Sequence, residues 1–178
     1  MNLKKIKIIN LFIVFLLCFP LHFTYKLLPN IISIIFTPVN ESIWEHMKLI
    51  YTSFILGGII DFILLKKYIK VNNFMFQLFI VPVIGIFIYL LIYLPLYNIM
   101  GENMVVSILL LFIIIIVEEV ISYFILNLNK IKFQNIIGIS GIILVYIIFA
   151  YLTYNPIMNY IFFDTENDLY GINTYIID

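Results

Sequence analysis

The sequence predicts an all-α polytopic membrane bundle of about five transmembrane helices, and three observations carry that prediction. Hydrophobic residues make up 64% of the 178 positions and charged residues only 11%, against about 45–50% and about 25% in soluble domains. One core of this size cannot hide that excess, so lipid must solvate much of it. Five stretches, 6–25, 42–65, 74–93, 104–126 and 136–154, reach the roughly 20 mostly apolar residues that a spanning helix needs. The third observation is the placement of charge. All ten basic residues are lysine, and eight of them flank the spans on one side: Lys4, Lys5, Lys7, Lys66, Lys67, Lys70, Lys130 and Lys132. The positive-inside rule assigns that side to the cytoplasm, with the N-terminus inside and the C-terminus outside. The expected location is the cell membrane, crossed several times, with residues 1–178 forming a single integral membrane domain. There is no Gly/Ser-rich linker, soluble domain or clear internal repeat.

In the first span, Cys18 is the only cysteine, which excludes an intrachain disulfide. A lipoprotein-type reading of "FLLC" needs a small residue before the cysteine; Leu17 is large, so the segment is expected to stay a helix. His22 lies roughly 4 to 5 Å inside its outer end. The runs 31–36 and 157–163 are too short to cross, and are expected at the interface or dipping back into protein, where irregular backbone is tolerated.

The second span begins at "TPVNESIWEHMK", residues 37–48. Pro38 disfavours helix at Thr37, and Asn40 or Ser42 can cap the helix that follows. Ser42 and Glu45 have capping-box spacing, and early glutamates complement the helix dipole. Trp44 fits an interfacial anchor. His46 lies roughly 7 Å inside the helix start, at a depth similar to His22. Glu41 and Glu45 share one face at i, i+4. Two imidazoles and two carboxylates form a ligand set for zinc or another first-row divalent metal. They equally form Glu–His couples that lock the first two spans together, and the sequence leaves both open.

A second polar group lies toward the cytoplasmic side: Asp61 in the second span and Glu118, Glu119 and Ser122 in the fourth. Ionisable residues within a span are costly and face protein or water. Glu118 and Ser122 share a face, and Glu119 is turned about 100° away. A snorkelling Lys66, Lys67 or Lys130 would neutralise them; a proton or cation relay is the functional alternative. "EEVISY" is similar to the paired glutamates of intramembrane CAAX-type proteases, but Tyr123 replaces the arginine and the histidine motifs are missing, so the match is rejected. In the tail, Asp164, Glu166 and Asp168 are spaced like the opening of a calcium loop, with Leu169 and Tyr175 where glycine and glutamate belong. A turn at Gly171 with an acidic face is the expectation. The abundant asparagines and tyrosines follow an Ile-, Asn- and Lys-rich compositional bias and are not counted as functional.

"FTPVNESIWEHMKL" at 36–49 resembles the signature F-x-P-V-N-E-S-x-W-E-H-x-K-L of an uncharacterised bacterial family of multispanning membrane proteins, domain of unknown function 6512. "YLTYNPIMNYIFFDTENDLYGI" is similar to its second signature at Pro156, Phe163, Asp164, Tyr170, Gly171 and Ile172, with Thr165 replacing a proline. His22 also fits the family pattern. The resemblance implies a small multispanning protein and transfers no catalytic role. Under the lysine topology both signatures share the outer face, so Asp164 is expected to fold back over His22, Glu41, Glu45 and His46.

Two functions remain open. One is a non-catalytic binding, transport or interaction role, whose partners are the bilayer and a small-molecule or lipid ligand. The other is a metal-dependent hydrolase of a lipid-like substrate. There His22 and His46 ligate, Glu45 or Glu41 is the general base, and Asp164 ligates or orients. Nucleic acid is not expected, since the lysines are dispersed rather than gathered in a groove. Metal identity and oligomeric state stay open.

Overall fold

The computed structural model describes residues 2–68 and 71–172, with 66–68 given by backbone alone. The side chains of Lys66 and Lys67, and the residues Lys70, Tyr175 and Asp178, lie outside the described residues. Six helices run in order: α1 (Leu3–Leu27), α2 (Ile31–Phe36), α3 (Ile43–Tyr68), α4 (Phe74–Met100), α5 (Met104–Asn127) and α6 (Gln134–Tyr154). A hairpin of β1 (Phe163–Asp164) and β2 (Leu169–Tyr170) follows, antiparallel, with Phe163 opposite Tyr170. All helices except α2 are long and apolar enough to cross a membrane. The protein is an all-α polytopic bundle.

The bundle has α3 at its centre, the most buried of the five long helices. α1 packs on α3 and α5, α4 packs on α3, α5 and α6, and α2 lies against α6. Large apolar side chains such as Phe12, Leu16, Phe87, Ile113 and Ile147 point outward; in lipid that costs nothing, and the interior is where the polar residues go. Gly57 packs directly under α1. A β-carbon there would fall 2.4 Å from Val14 Cγ2, so a larger residue would force the valine or the helices to shift.

The third span extends past the expected 74–93, running through Pro82 and Pro95 to Met100. A proline removes one helical hydrogen bond, but within a membrane bundle neighbouring helices and local adjustments absorb the loss. α2 is a separate short helix with a full capping box between Asn30 and Ser33. The run 157–163 is not helical; it forms turns that bring the hairpin back to α3, where Ile161 O accepts the Trp44 amide at 2.9 Å.

Replacing Gly57 with leucine should force α1 away from α3 and cost about 1–3 kcal/mol, the usual range for overpacking. The check is thermal unfolding of the detergent-purified variant, with Gly57→Ala expected to lose less than Gly57→Leu.

Candidate functional site

The polar stretch 37–48 builds its local structure largely from its own side chains. Ser42 N donates to Asn40 Oδ1 at 2.9 Å, and Glu45 N donates to Ser42 Oγ at 3.3 Å. Only half of the expected capping box therefore forms, because the Glu45 carboxylate is drawn inward. It accepts Val39 N at 3.1 Å and Thr153 Oγ1 at 2.6 Å, and pairs with Lys48 Nζ at 2.7 Å. Lys48 is completely buried and also donates to Ile34 O at 2.7 Å, occupying a carbonyl of the short helix α2. Glu45 thus stands in a structural ion pair and not beside the histidines. Trp44, expected at the lipid interface, stacks on Phe162 with ring centroids 4.9 Å apart and meets Phe149 edge-on. The returning tail thus packs on the partly buried Trp44 ring.

Three of the sequence-derived residues do converge. His22 Nε2 lies 3.1 Å from His46 Nε2, and Glu41 Oε2 lies 3.2 Å from the first and 3.4 Å from the second. His22 comes from α1, His46 from the first turns of α3, and Glu41 from the irregular segment between α2 and α3. Each is partly exposed. His46 Nδ1 faces the Ser42 carbonyl at 2.9 Å. A carbonyl only accepts, so Nδ1 carries the proton and the neutral ring presents its Nε2 lone pair to the other two groups, as metal-bound histidines do. Bonds of about 2.0 Å in a tetrahedral zinc site imply ligand–ligand separations of roughly 3.3 Å, which the three observed edges match. The same triangle is also a hydrogen-bonded latch between α1 and α3. In the metal-free latch the neighbouring imidazoles, His22 first, hold the Glu41 carboxyl well below the usual carboxylate range by hydrogen bonding and charge.

Asp164 does not reach this triangle with a free oxygen. Its Oδ2 accepts Glu41 N at 3.0 Å and Asn167 Nδ2 at 2.9 Å, while Oδ1 accepts the Glu166 and Asn167 amides. It orients Glu41 through the backbone. The acidic tail is a tight hairpin, with Asp168 at φ 56° and Gly171 at φ 65°. Gly171 O accepts Asn40 Nδ2 at 2.8 Å, so the two signatures lock together at one end of the bundle.

The triangle lines a cavity of about 410 Å³ between α1, α3, α4 and α5. Its rim carries Lys26, Glu102 and Glu166, and Glu102 is tied to the hairpin by Thr165 Oγ1 at 2.8 Å. One wall is a tyrosine ladder on α4, with Tyr89 stacked on Tyr93 at a centroid distance of 5.0 Å and Tyr97 tilted against Tyr93 at 5.9 Å. Sequence reasoning passed over these tyrosines as compositional bias; their i, i+4, i+8 spacing on one helix face was the signal that marks them.

Toward the inner end, α1, α3 and α5 enclose the second polar group. Lys7 Nζ pairs with Asp61 Oδ2 and lies 3.2 Å from Glu119 Oε2, and Asn10 Nδ2 donates to Glu119 Oε1 at 2.8 Å. Lys7, which was assigned to the flank, is the neutralising cation, in place of the expected Lys130, which is exposed. Its position four residues into α1, on the Asn10 and Val14 face, turns it inward. Glu118 and Ser122 face α4, as their spacing predicts: Ser122 Oγ donates to Gln77 Oε1 at 2.7 Å, and Glu118 lies on Gly85.

A bundle of apolar spanning helices with its polar residues turned inward defines a multi-pass membrane protein. The chain belongs to the Family of unknown function (DUF6512), whose model matches residues 1–172. No curated protein and no solved structure matches it.

Glu45→Ala would strand the buried Lys48 ammonium and is expected to cost about 3–5 kcal/mol, read as lost thermal stability in detergent. Glu41 sets a pH dependence. Its folded-state pKa is depressed, so its contribution is complete above the ordinary glutamate value of about 4.3 and fades as pH falls toward the folded value. The carboxylate part of the stability difference between wild type and Glu41→Gln should therefore shrink progressively below about pH 4.

Proposed function

We propose that this chain is a cell-membrane binding protein that holds a zinc-like divalent metal with His22, His46 and Glu41 at the outer mouth of a cavity for a small apolar or lipid-like ligand. The observation that carries the reading is the triangle of 3.1, 3.2 and 3.4 Å edges between two imidazole nitrogens and one carboxylate oxygen. These are the separations that tetrahedral coordination by two nitrogens and one oxygen requires. The carbonyl behind His46 supplies the outer-sphere acceptor that fixes the ring. The cavity has the volume of a small-molecule site, which runs from about 300 to 1,000 Å³, and its tyrosine and aliphatic walls suit an apolar ligand. The lysine distribution puts the mouth on the extracytoplasmic side.

A second reading, a metal-dependent hydrolase of a lipid-like substrate, is favoured by one observation. Three protein ligands leave a fourth tetrahedral position for water, and all three line the cavity. Glu45 is a poor base in that scheme, since both its oxygens are engaged. Glu41 would be a ligand. Glu102 and Glu166 are the carboxylates on the cavity wall in a position to take a proton.

Elemental analysis and zinc titration of the detergent-purified chain test the main reading. One zinc per chain is expected, with affinity falling by about 100-fold or more in His22→Ala and His46→Ala, and by about 10–100-fold in Asp164→Asn, which loosens Glu41 from behind. A folded protein that takes no zinc, or whose zinc affinity ignores both histidines, overturns it and leaves the latch. Zinc-dependent release of fatty acid from an ester lipid, lost in His46→Ala, would select the hydrolase.

A further inference from the structure

The inner polar group holds three carboxyls and one ammonium in a region where lipid surrounds the bundle. Asp61 and Glu119 both pair with Lys7, and Asn10 donates to Glu119, so each of these carboxylates has at least one partner even though Asp61 Oδ1 has none among the described residues. Glu118 is different. It is 0% exposed, and neither of its oxygens has a hydrogen-bond partner among the described residues. A β-carbon on Gly85 would come within 2.1 Å of Glu118 Oε1, so α4 leaves room for that carboxyl and offers no donor where it rests. An ionised, unpaired carboxylate at such a place is among the most costly groups a protein can bury; the neutral acid costs far less.

The surroundings of Glu118 point in two directions. On one side is Cys18 of α1, which lines the cavity and is within electrostatic reach of Glu118, with Ser53 of α3 beside it. On the other side the next residue of α5, Glu119, begins the Asn10–Lys7–Asp61 network. A hydrated metal or alkali cation would need several oxygen ligands. Around Glu118 stand a thiol, a glycine and the Gln77–Ser122 pair, whose unpartnered atom is the amide donor Gln77 Nε2. A proton needs no coordination shell.

We propose that Glu118 is a proton-exchange site within the membrane, reached from the cavity past Cys18 and balanced on its inner side by the fixed Lys7–Asp61–Glu119 cluster. The proton enters from cavity water, binds one Glu118 oxygen as the neutral acid, and leaves by the same route or onward to Glu119; no bond other than O–H forms or breaks. This assigns the protein a proton-linked step that does not depend on the metal reading, because none of its residues belongs to the His22–Glu41–His46 triangle.

Infrared spectroscopy of the full chain in detergent tests it. At neutral pH the wild type should show a protonated carboxylic C=O band that Glu118→Gln removes. On transfer to D2O the band should shift within minutes, and Cys18→Leu, which adds bulk where Cys18 lines the cavity, should slow the shift by about tenfold or more. If Cys18→Leu does not fold, Cys18→Ala, which removes bulk there, should shift at least as fast as wild type. If Glu118→Gln does not fold, Glu118→Asp should move the band in frequency. A wild type without the band, a band indifferent to residue 118, or a shift that appears only on unfolding overturns the proposal. The last result would make Glu118 a merely structural acid.

Discussion

The buried Glu45–Lys48 pair is the interaction on which the outer half of the molecule depends. Both side chains are essentially removed from solvent, and between them they reach α2, the irregular segment 37–42, α3 and α6. At membrane depth no water is available to satisfy free amides and carbonyls, so non-helical backbone survives only where protein supplies every partner. Glu45 takes the Val39 amide and Lys48 takes the Ile34 carbonyl. The break between α2 and α3 is therefore held from inside, by charges on the helix that follows it. Such a pair contributes less to net stability than its Coulomb attraction implies, because both ions are desolvated. Its value is geometric: it specifies one path for the chain.

That path places the histidine triangle. Glu41 is presented from a stretch that could not hold its shape alone, with Asp164 gripping its amide from the returning tail. His46 is next to Glu45 and so is turned about 100° away from the ion pair, toward α1 and His22. Buried ion pair, cavity mouth and hairpin are one construction. It explains why the polar residues of 37–48 and of 156–172 occur together in one chain: Asn40 and Gly171, and Trp44 and Phe162, are cross-braces between them.

The α1–α3 contact carries both polar centres. Near the outer end it joins His22 to His46; near the inner end it joins Lys7 to Asp61; between them Gly57 packs directly under α1. The two centres differ in kind. The outer one is partly exposed and presents lone pairs to a cavity, whereas the inner one is buried, and among its carboxylates Glu118 is the one with neither oxygen hydrogen-bonded among the described residues. With hydrocarbon outside, apolar burial gives little net attraction between helices, so packing at small residues and interhelical polar contacts hold this interface.

Composition and lysine placement by themselves determined the membrane class, the number of spans and the expected orientation, because lipid imposes length and charge rules that act on the sequence directly. Helical periodicity also placed His22 and His46 at one depth and put Glu118 and Ser122 on a face apart from Glu119. Which carboxylate would join the histidines was not legible. Glu41 and Glu45 lie on the same side of an ideal helix, but the helix begins only at Ile43, and a lysine two residues beyond His46 captures Glu45. Asp164 lies beside Glu41, yet its oxygens accept the Glu41, Glu166 and Asn167 amides and the Asn167 side chain. Lys7 looked like a flanking charge until α1 was packed against Asp61 and Glu119, and the tyrosines of α4 looked like composition until they lined a cavity. Local rules decide what one segment can do. Partner choice among several nearby charges is a competition between segments far apart in sequence, and only the tertiary packing resolves it.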